Sequence, residues 1–337
     1  MKILVTGGAG FIGSNFIHYW LAKYTDDEII NLDALKYAGN LENHKSVDKK
    51  PKYSFVKADI AKYTELEPVF KQGIDVVVNF AASTHVDRSL YDPYEFINTN
   101  IIGTKNLLEL SRVYKVSRFH QISTDEVFGD LALDSKDKFS ETTLLDPSNE
   151  YSATKAAAEM LVMSYQHTYG LFTTISNCTN NIGPYQYPEK FMPLAITNVL
   201  EGKKIPVYGT GENVRDWLYV EDHCSAIDLI LKKGKPGERY MVGSDHEEIS
   251  NIQLVSKILK IMNKEGNWME FVTDRLGHDR KYAVDWSKIK ALGWTPKYKL
   301  DDSIRLTVEW YMKNEAWWKK IKSGEFREHY EKVYGKR

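Results

Sequence analysis

Thr6-Gly-Gly-Ala-Gly-Phe-Ile-Gly13 puts glycines at positions 7, 10 and 13, straight after the apolar run Ile3–Thr6 and at the start of a helical pattern over Phe11–Lys23. A strand, a glycine turn and a helix in that order form a phosphate cradle. Gly7 permits the tight turn, Gly10 lets backbone approach a pyrophosphate, and Gly13 lets helix and strand pack closely, with helix N–H groups aimed at the anion. Asp33 follows 20 residues after Gly13, at the end of the second apolar run. A carboxylate there accepts hydrogen bonds from both adenosine ribose hydroxyls and repels a 2′-phosphate, so NAD is expected rather than NADP. Asp59-Ile60, after the third run, suits the adenine amino group and one face of the ring.

The same alternation continues outward from the loop. Strands are expected over Ile3–Thr6, Ile29–Leu32, Tyr53–Lys57, Val76–Phe80, Phe119–Ser123 and Thr173–Ser176. Helices are expected over Phe11–Lys23, Thr64–Lys71, Glu95–Tyr114 and Ala153–Tyr169. The strand runs are apolar throughout, as strands buried on both faces must be. The expected fold is therefore α/β, a Rossmann-type doubly wound parallel sheet. After about residue 178 the pattern becomes irregular, with helices expected over Met192–Glu201, Val220–Lys232 and Asn251–Asn263 and from about Asp301. This predicts a NAD-binding domain over 1–178, with some later segments returning to it. A smaller α/β C-terminal domain over 179–337 would bind substrate.

Composition narrows the function classes. With 337 residues, 42% of them hydrophobic, the chain can build a full core. It has no apolar stretch of the ~20 residues a membrane span requires. Met1 leads directly into a strand pattern, so no signal peptide is expected, and two cysteines suit neither a disulfide framework nor a cysteine-based metal site. A cytoplasmic protein without a metal follows. Net charge is −1, from 45 basic and 46 acidic residues, which argues against nucleic-acid binding. Aromatic residues make up 12%, many of them in the last third. They either pack a small domain or stack on a base or sugar.

Tyr151 and Lys155 stand four apart at the start of a helical pattern, on one face. A free tyrosine, with a pKa near 10, is a poor base at neutral pH. A neighbouring ammonium and the positive ring of bound NAD would favour its phenolate. Thr124 closes the fifth strand pattern and would hydrogen-bond the hydroxyl that Tyr151 deprotonates. Asp125 and Glu126 come next, and hydride transfer alone does not need them. An acid beside a base is what elimination of water requires.

These residues resemble the extended short-chain dehydrogenase/reductase family and, within it, the 4,6-dehydratases of nucleotide sugars. The likeness runs almost end to end. It covers TGGAGFIGSNF from Thr6, DALKYAGN from Asp33, AASTHVDRS from Ala81, STDEVFGDL from Ser123 and YSATKAAAE from Tyr151. It continues through NCTNNIGPYQYPEK from Asn177, GENVRDWLYVEDH from Gly211, GHDRKYAVD from Gly277 and LGWTP from Leu292. The resemblance implies oxidation at C4 with Tyr151 as base and Thr124 assisting. Glu126 then acts as base at C5, Asp125 as acid at the C6 hydroxyl, and hydride returns to C6. Lys155 would also hold the nicotinamide ribose.

It further implies that Phe11, Ile12, Asp33, Ala34, Leu35, Lys36, Asp59, Ile60, Ala81, Ala82, Ser83, His85, Thr99 and Asn181 line the NAD site. Thr84 and Asn180 would touch the sugar or its phosphates. Lys190, Phe191, Pro206, Val207, Tyr208, Arg215, Asn251, Asp274, Arg275, Gly277 and His278 would form the nucleotide-sugar site, with dTDP-glucose the expected substrate. A homodimer is implied, with Glu95–Tyr114 and Ala153–Tyr169 pairing across a two-fold axis and burying Leu107, Leu108, Met160, Leu161 and Met163. The chain departs from the family pattern at Ser83 (commonly glutamate), Ile182 (tyrosine) and Leu276 (proline). Its 244–251 segment is one residue longer than the pattern, and its 130–150 segment is shorter than in some relatives. Three readings compete with this one: a UDP-glucose or UDP-amino-sugar dehydratase, a 4-epimerase, and a non-catalytic NAD-binding protein. An epimerase leaves Asp125 and Glu126 without a task. A non-catalytic protein of this fold usually lacks Tyr or Lys of the redox pair.

Overall fold

The structure, a computed structural model, describes residues 1–89 and 92–323. Seven strands form the main sheet: β1 Lys2–Thr6, β2 Glu28–Asp33, β3 Tyr53–Lys57, β4 Val76–Asn79, β5 Arg118–Thr124, β6 Thr173–Cys178 and β7 Glu238–Val242. Their order is β7-β6-β5-β4-β1-β2-β3, and every pair is parallel. The chain reverses direction across the sheet between β1 and β4. Such a switch point leaves a crevice at the carboxyl ends of the strands.

Each strand feeds two cores because side chains alternate across a sheet. Leu4, Val77, Phe119 and Ile175 enter one cluster, while Ile3, Val5, Val76 and Val78 enter the cluster on the opposite face. All eight are at most 3% exposed, which explains the unbroken apolar runs. The glycine loop is built as its spacing requires. Gly7 has φ +66°, and a Cβ there would meet Ala81 backbone at 2.6 Å. A Cβ on Gly13 would stand 2.5 Å from the Gly7 carbonyl, so the helix Phe11–Lys23 could not start so close to β1.

Strand β7 comes from the second half of the sequence and went unread there. It closes the sheet beside β6, and the helix Val220–Lys233 that precedes it packs on Phe11–Lys23. The expected helix over Glu95–Tyr114 is in fact three pieces: Pro93–Phe96, a π-helical stretch Ile97–Gly103, and Thr104–Val113. The cause is local. The Asn100 side chain turns inward, accepting from Ser83 N at 2.9 Å and donating to Ser83 O at 3.1 Å and Thr154 Oγ1 at 2.9 Å. Gly103 lets Ile60 press against the turn.

Three small two-stranded sheets carry the C-terminal part: Asn180–Ile182 with Trp217–Tyr219, Ile205–Tyr208 with Met269–Val272, and Val214–Arg215 with Ile249–Ser250. Strands of two to four residues are too short for any periodic signal. Helices Phe191–Leu200, Asn251–Ile261, Leu300–Lys313 and Glu315–Lys322 pack around them, with Tyr311, Trp317 and Trp318 in the shared core. The C-terminal aromatics are therefore packing groups. The part of the expected helical C-terminus beyond residue 323 lies outside the described residues. Among those residues no helix is long and apolar enough to cross a membrane.

Candidate active site

A cleft lies at the switch point, and its lining runs from the glycine loop past the end of β5 to Lys190 of the C-terminal part. Gly7, Gly10, Phe11, Ile12 and Gly13 form its floor, with Asp33, Ala34, Lys36, Asp59 and Ile60 at one end. Ala81, Ala82, Ser83, Thr84 and Thr99 form a side wall, and Thr124, Asp125, Glu126, Tyr151 and Lys155 stand at the other end. Asn180, Asn181 and Lys190 close the wall from the C-terminal part. Leu35 and His85, expected at the cofactor, are not in the wall. Leu35 turns with φ +55° and gives its N–H to Asp33 Oδ1 at 2.8 Å. His85 is buried with its Nε2 3.9 Å from Glu189.

The wall fits a dinucleotide. A Cβ on Gly10 would meet only the Gly7 carbonyl, at 3.2 Å, so the loop is open on its outer side. Asp33 Oδ2 accepts from Ala9 N at 3.0 Å, and this fixes the carboxylate while leaving lone pairs for ribose hydroxyls. Lys36 pairs with Asp59 at 3.1 Å and Glu95 at 2.6 Å, and this holds Asp59 at the adenine end. Buried Ser123 Oγ, Asn180 Oδ1, Asp125 Oδ2 and Glu126 Oε2 find no hydrogen-bond partner among the described residues. Buried polar atoms are nearly always satisfied, so four in one region indicate a ligand-facing surface.

Local structure sets up the reacting groups. Asn149 and Ser152 form a reciprocal capping box that starts the helix Glu150–Tyr169 and puts Tyr151 and Lys155 on its first turns. The Thr124 side chain accepts from Glu126 N at 3.2 Å and caps the short turn Asp125–Phe128, which aims both carboxylates off the end of β5. Lys155 Nζ donates to the Ile122 carbonyl at 2.6 Å, and the Phe96 ring stands edge-on to Tyr151 at 6.4 Å.

The two carboxylates are driven apart electrostatically. Burial pushes Asp125 well above the usual carboxylate range; Glu126 and Asp216 push the same way, and only Arg215 and the Thr124 hydroxyl oppose them. Burial also raises Glu126, but Arg275, Lys190 and Arg215 all pull it back, against Asp279 alone. Both are raised, but Asp125 further, so Asp125 is the better placed of the two to hold a proton and Glu126 to lose one.

The expectation that Lys155 holds Tyr151 towards phenolate is not met by the chain alone. Burial, Glu126, Cys178 and Asp125 drive the phenol well above its ordinary value, with a Thr124 hydrogen bond opposing. Burial lowers Lys155 itself to about 8. Desolvation is the largest cause at both groups.

Several residues expected at the nucleotide sugar stand beyond the cleft wall. His278 Nδ1 bonds Asp274 Oδ1 at 2.7 Å, and the Tyr208 ring meets His278 edge-on at 5.9 Å. Pro206 and Val207 are buried in the strand Ile205–Tyr208, and the Val207 side chain is spent on the core. Asn251 gives its N–H to Asn213 O, and Phe191 opens its helix and packs on the same core. Gly277 turns with φ +61°. Arg215 does not pair with Asp216, whose carboxylate instead bonds Ser244. Its guanidinium donates to the carbonyls of Val214 at 2.8 Å and Asp279 at 2.7 Å and lies 4.3 Å over the Tyr282 ring.

The sequence reading missed Tyr37, Gln186, Tyr187 and Glu189 in the wall. All four lie inside the segments that carried the family likeness, so the signal was position rather than chemistry. Among the departures, Ser83 gives its hydroxyl to Glu95 at 3.4 Å, Ile182 is fully buried, and Leu276 is exposed.

A glycine loop at the switch point, a Tyr/Lys pair on a capped helix and two split carboxylates on one cleft define a dinucleotide-dependent enzyme of the extended short-chain dehydrogenase/reductase class. The comparisons agree. A family model described as GDP-mannose 4,6 dehydratase matches residues 4–307. A dTDP-glucose 4,6-dehydratase of Salmonella typhimurium is 45% identical over 99% of both chains. The solved dTDP-glucose 4,6-dehydratase of Bacillus anthracis, in complex with NAD, superposes with TM-score 0.88 at 49% identity, covering 95% of this chain and 99% of that one. The dTDP-glucose 4,6-dehydratase of Streptomyces venezuelae, with NAD and a dTDP ligand bound, gives 0.92 at 41%, covering 95% and 100%. The chain belongs to the nucleotide-sugar 4,6-dehydratase family, on the branch of the dTDP-glucose 4,6-dehydratases.

Proposed function

We propose that this chain is an NAD-dependent hydro-lyase that converts dTDP-glucose to dTDP-4-keto-6-deoxyglucose and water. The unequal protonation bias of the adjacent Asp125 and Glu126, raised further at Asp125 than at Glu126, carries the reading. The glycine loop, Asp33, Asp59 and Ile60 would hold NAD, with Thr99 and Lys155 further along the wall. Bound NAD supplies the acceptor for the C4 hydrogen and the donor that later returns it to C6.

Tyr151 takes the proton of the C4 hydroxyl while Thr124 holds that hydroxyl. Once C4 is a ketone, the C5 hydrogen is acidic and Glu126 removes it. The freed electron pair forms the C5–C6 double bond as the C6–O bond breaks, Asp125 gives its proton to the departing hydroxyl, completing water, and Glu126 afterwards returns its proton to C5. Lys190, Arg215 and Arg275 place three cations beside Glu126 and suit the diphosphate, since a guanidinium pairs with phosphate through a planar fork. The same cations oppose the burial that raises Glu126.

Residues 1–178 with β7 and its preceding helix form the NAD-binding part in this reading, and most of 179–337 binds the nucleotide sugar. Cys178 and Cys224 are unpaired and buried, which suits the reducing cytoplasm. A homodimer is proposed through the helices Thr104–Val113 and Glu150–Tyr169.

Incubation with dTDP-glucose and UDP-glucose in parallel, followed by mass analysis, tests the assignment. Loss of one water from dTDP-glucose is expected, with the alkali-induced absorbance of a 4-keto sugar. Water loss from UDP-glucose alone would move the base preference, and inversion at C4 without mass change would make the protein an epimerase.

A further inference from the structure

The C-terminal helix Glu315–Lys322 belongs to the substrate-side core, and two of its side chains also reach the turn behind the glycine loop: Lys320 pairs with Glu42 at the surface, and Trp317 makes the buried contact. Trp317 Nε1 donates to Asn43 Oδ1 at 2.9 Å. Asn43 sits in the short turn Leu41–His44, which joins neither the main sheet nor the cleft wall. The other face of that turn is fastened to the glycine loop three times. Asn43 Nδ2 donates to the Ala9 carbonyl at 3.0 Å, Asn40 N donates to the same oxygen at 2.9 Å, and His44 Nε2 meets the Gly8 carbonyl at 2.8 Å. A carbonyl only accepts, so His44 donates there as a neutral ring, and burial, holding its pKa near 4, keeps it so. Ala9 N in turn bonds Asp33 Oδ2 at 3.0 Å.

Gly8 and Ala9 are absent from the cleft wall, while Gly7, Gly10 and Gly13 form it. The turn therefore grips the loop from behind and takes up its carbonyls, leaving its open side to the phosphates. Asn43 is 2% exposed and Trp317 9%. Removing the indole N–H would leave Asn43 Oδ1 buried without that donor, an expensive state that favours opening of the turn.

We propose that Trp317 is a positioning residue for the cofactor: through Asn43 it braces the glycine loop and slows the release of NAD. The inference rests on the reading of the cleft as an NAD site. It also fits a cycle in which the cofactor ends as it began and need not leave between turnovers.

Trp317→Phe keeps an aromatic ring and removes only the donor. Trp318→Phe on the same helix is the matched control, because its indole donates to the Tyr311 carbonyl at 2.9 Å and not to the turn. NAD bound per chain is measured after gel filtration, and its release rate by chase with labelled NAD, alongside the melting temperature of each variant. Release from Trp317→Phe is expected to be roughly fivefold faster or more, the factor that a lost buried hydrogen bond carries. Trp318→Phe should melt earlier and keep its NAD. In an Asn43→Ala background, Trp317→Phe should add nothing further. Equal release from wild type and Trp317→Phe overturns the brace, as does an undiminished effect in the Asn43→Ala background. Wild-type protein that binds no NAD at all overturns the cofactor reading itself, and the two failures are thereby told apart.

Discussion

Asp125 and Glu126 are chemically alike and share one turn, and their neighbours give them unequal surroundings. Asp125 has Asp216 beside it and a single opposing cation, while Glu126 faces Arg275, Lys190 and Arg215. Glu126→Gln is expected to lose solvent-deuterium exchange at C5 while bound NAD is still reduced by substrate. Asp125→Asn should keep the exchange and slow water loss. Each should lower turnover by ~10²–10⁴-fold, the usual contribution of one positioned acid or base. Near-wild-type turnover in both variants would remove the elimination roles. Lys155 adds a pH signature. Its folded pKa is depressed from 10.5 to about 8, so the unfolded chain binds that proton more tightly. Below pH 8 both states hold the proton and the burial penalty is complete; between 8 and 10.5 the folded state alone has shed it, and stability from this group rises with pH. Lys155→Met should flatten that rise relative to wild type in denaturant titrations across the window.

The wide turn Ile97–Gly103 joins sheet, helix and cleft. It buries Thr99 and Asn100, and π-helical turns of this kind are frequent at functional sites. Its tightest contact is at Gly103, where a Cβ would lie 2.5 Å from two carbons of Ile60, a cleft residue. Gly103→Ala should therefore cost ~1–3 kcal/mol by overpacking. Ile60→Ala placed on top should recover part of that loss, and a Gly103→Ala melting curve coincident with wild type would refute the contact. The cap at Asn149 works at the same scale. Asn149→Ala should cost ~0.5–2 kcal/mol and loosen the turn that presents Tyr151. A fall in the C4 oxidation rate larger than the fall in nucleotide-sugar affinity is the expected readout.

Across the whole molecule, the expected partner surface needs revision. Leu107 and Leu108 are fully buried in the chain's own core and cannot meet a second copy. Leu161 and Met163 pack partly on that core, whereas Met160 is 63% exposed and Val113 47%. A dimer through these helices would use Met160 and Val113 instead. Met160→Asp should then sediment as a monomer at micromolar concentration while wild type sediments as a dimer, and a monomeric wild type would end the proposal.

The glycine spacing, Asp33, the apolar strand runs and the Tyr151/Lys155 pair were readable without coordinates because each is a local pattern: a turn, a period or a spacing on one helix. They determined the fold class and the presence of redox and elimination chemistry together. Strand β7 was unreadable, because a five-residue strand joining the sheet edge some 60 residues after its neighbour β6 carries no mark of its partner. The purpose of the C-terminal aromatics was open for the same reason, and only packing shows Trp318 in the core and Trp317 reaching the turn behind the cofactor loop. The unequal bias of two adjacent acids was likewise legible only in three dimensions. The charges that set each pKa come from residues 190, 215, 216, 275 and 279, far along the chain, and electrostatic energy depends on distance through space.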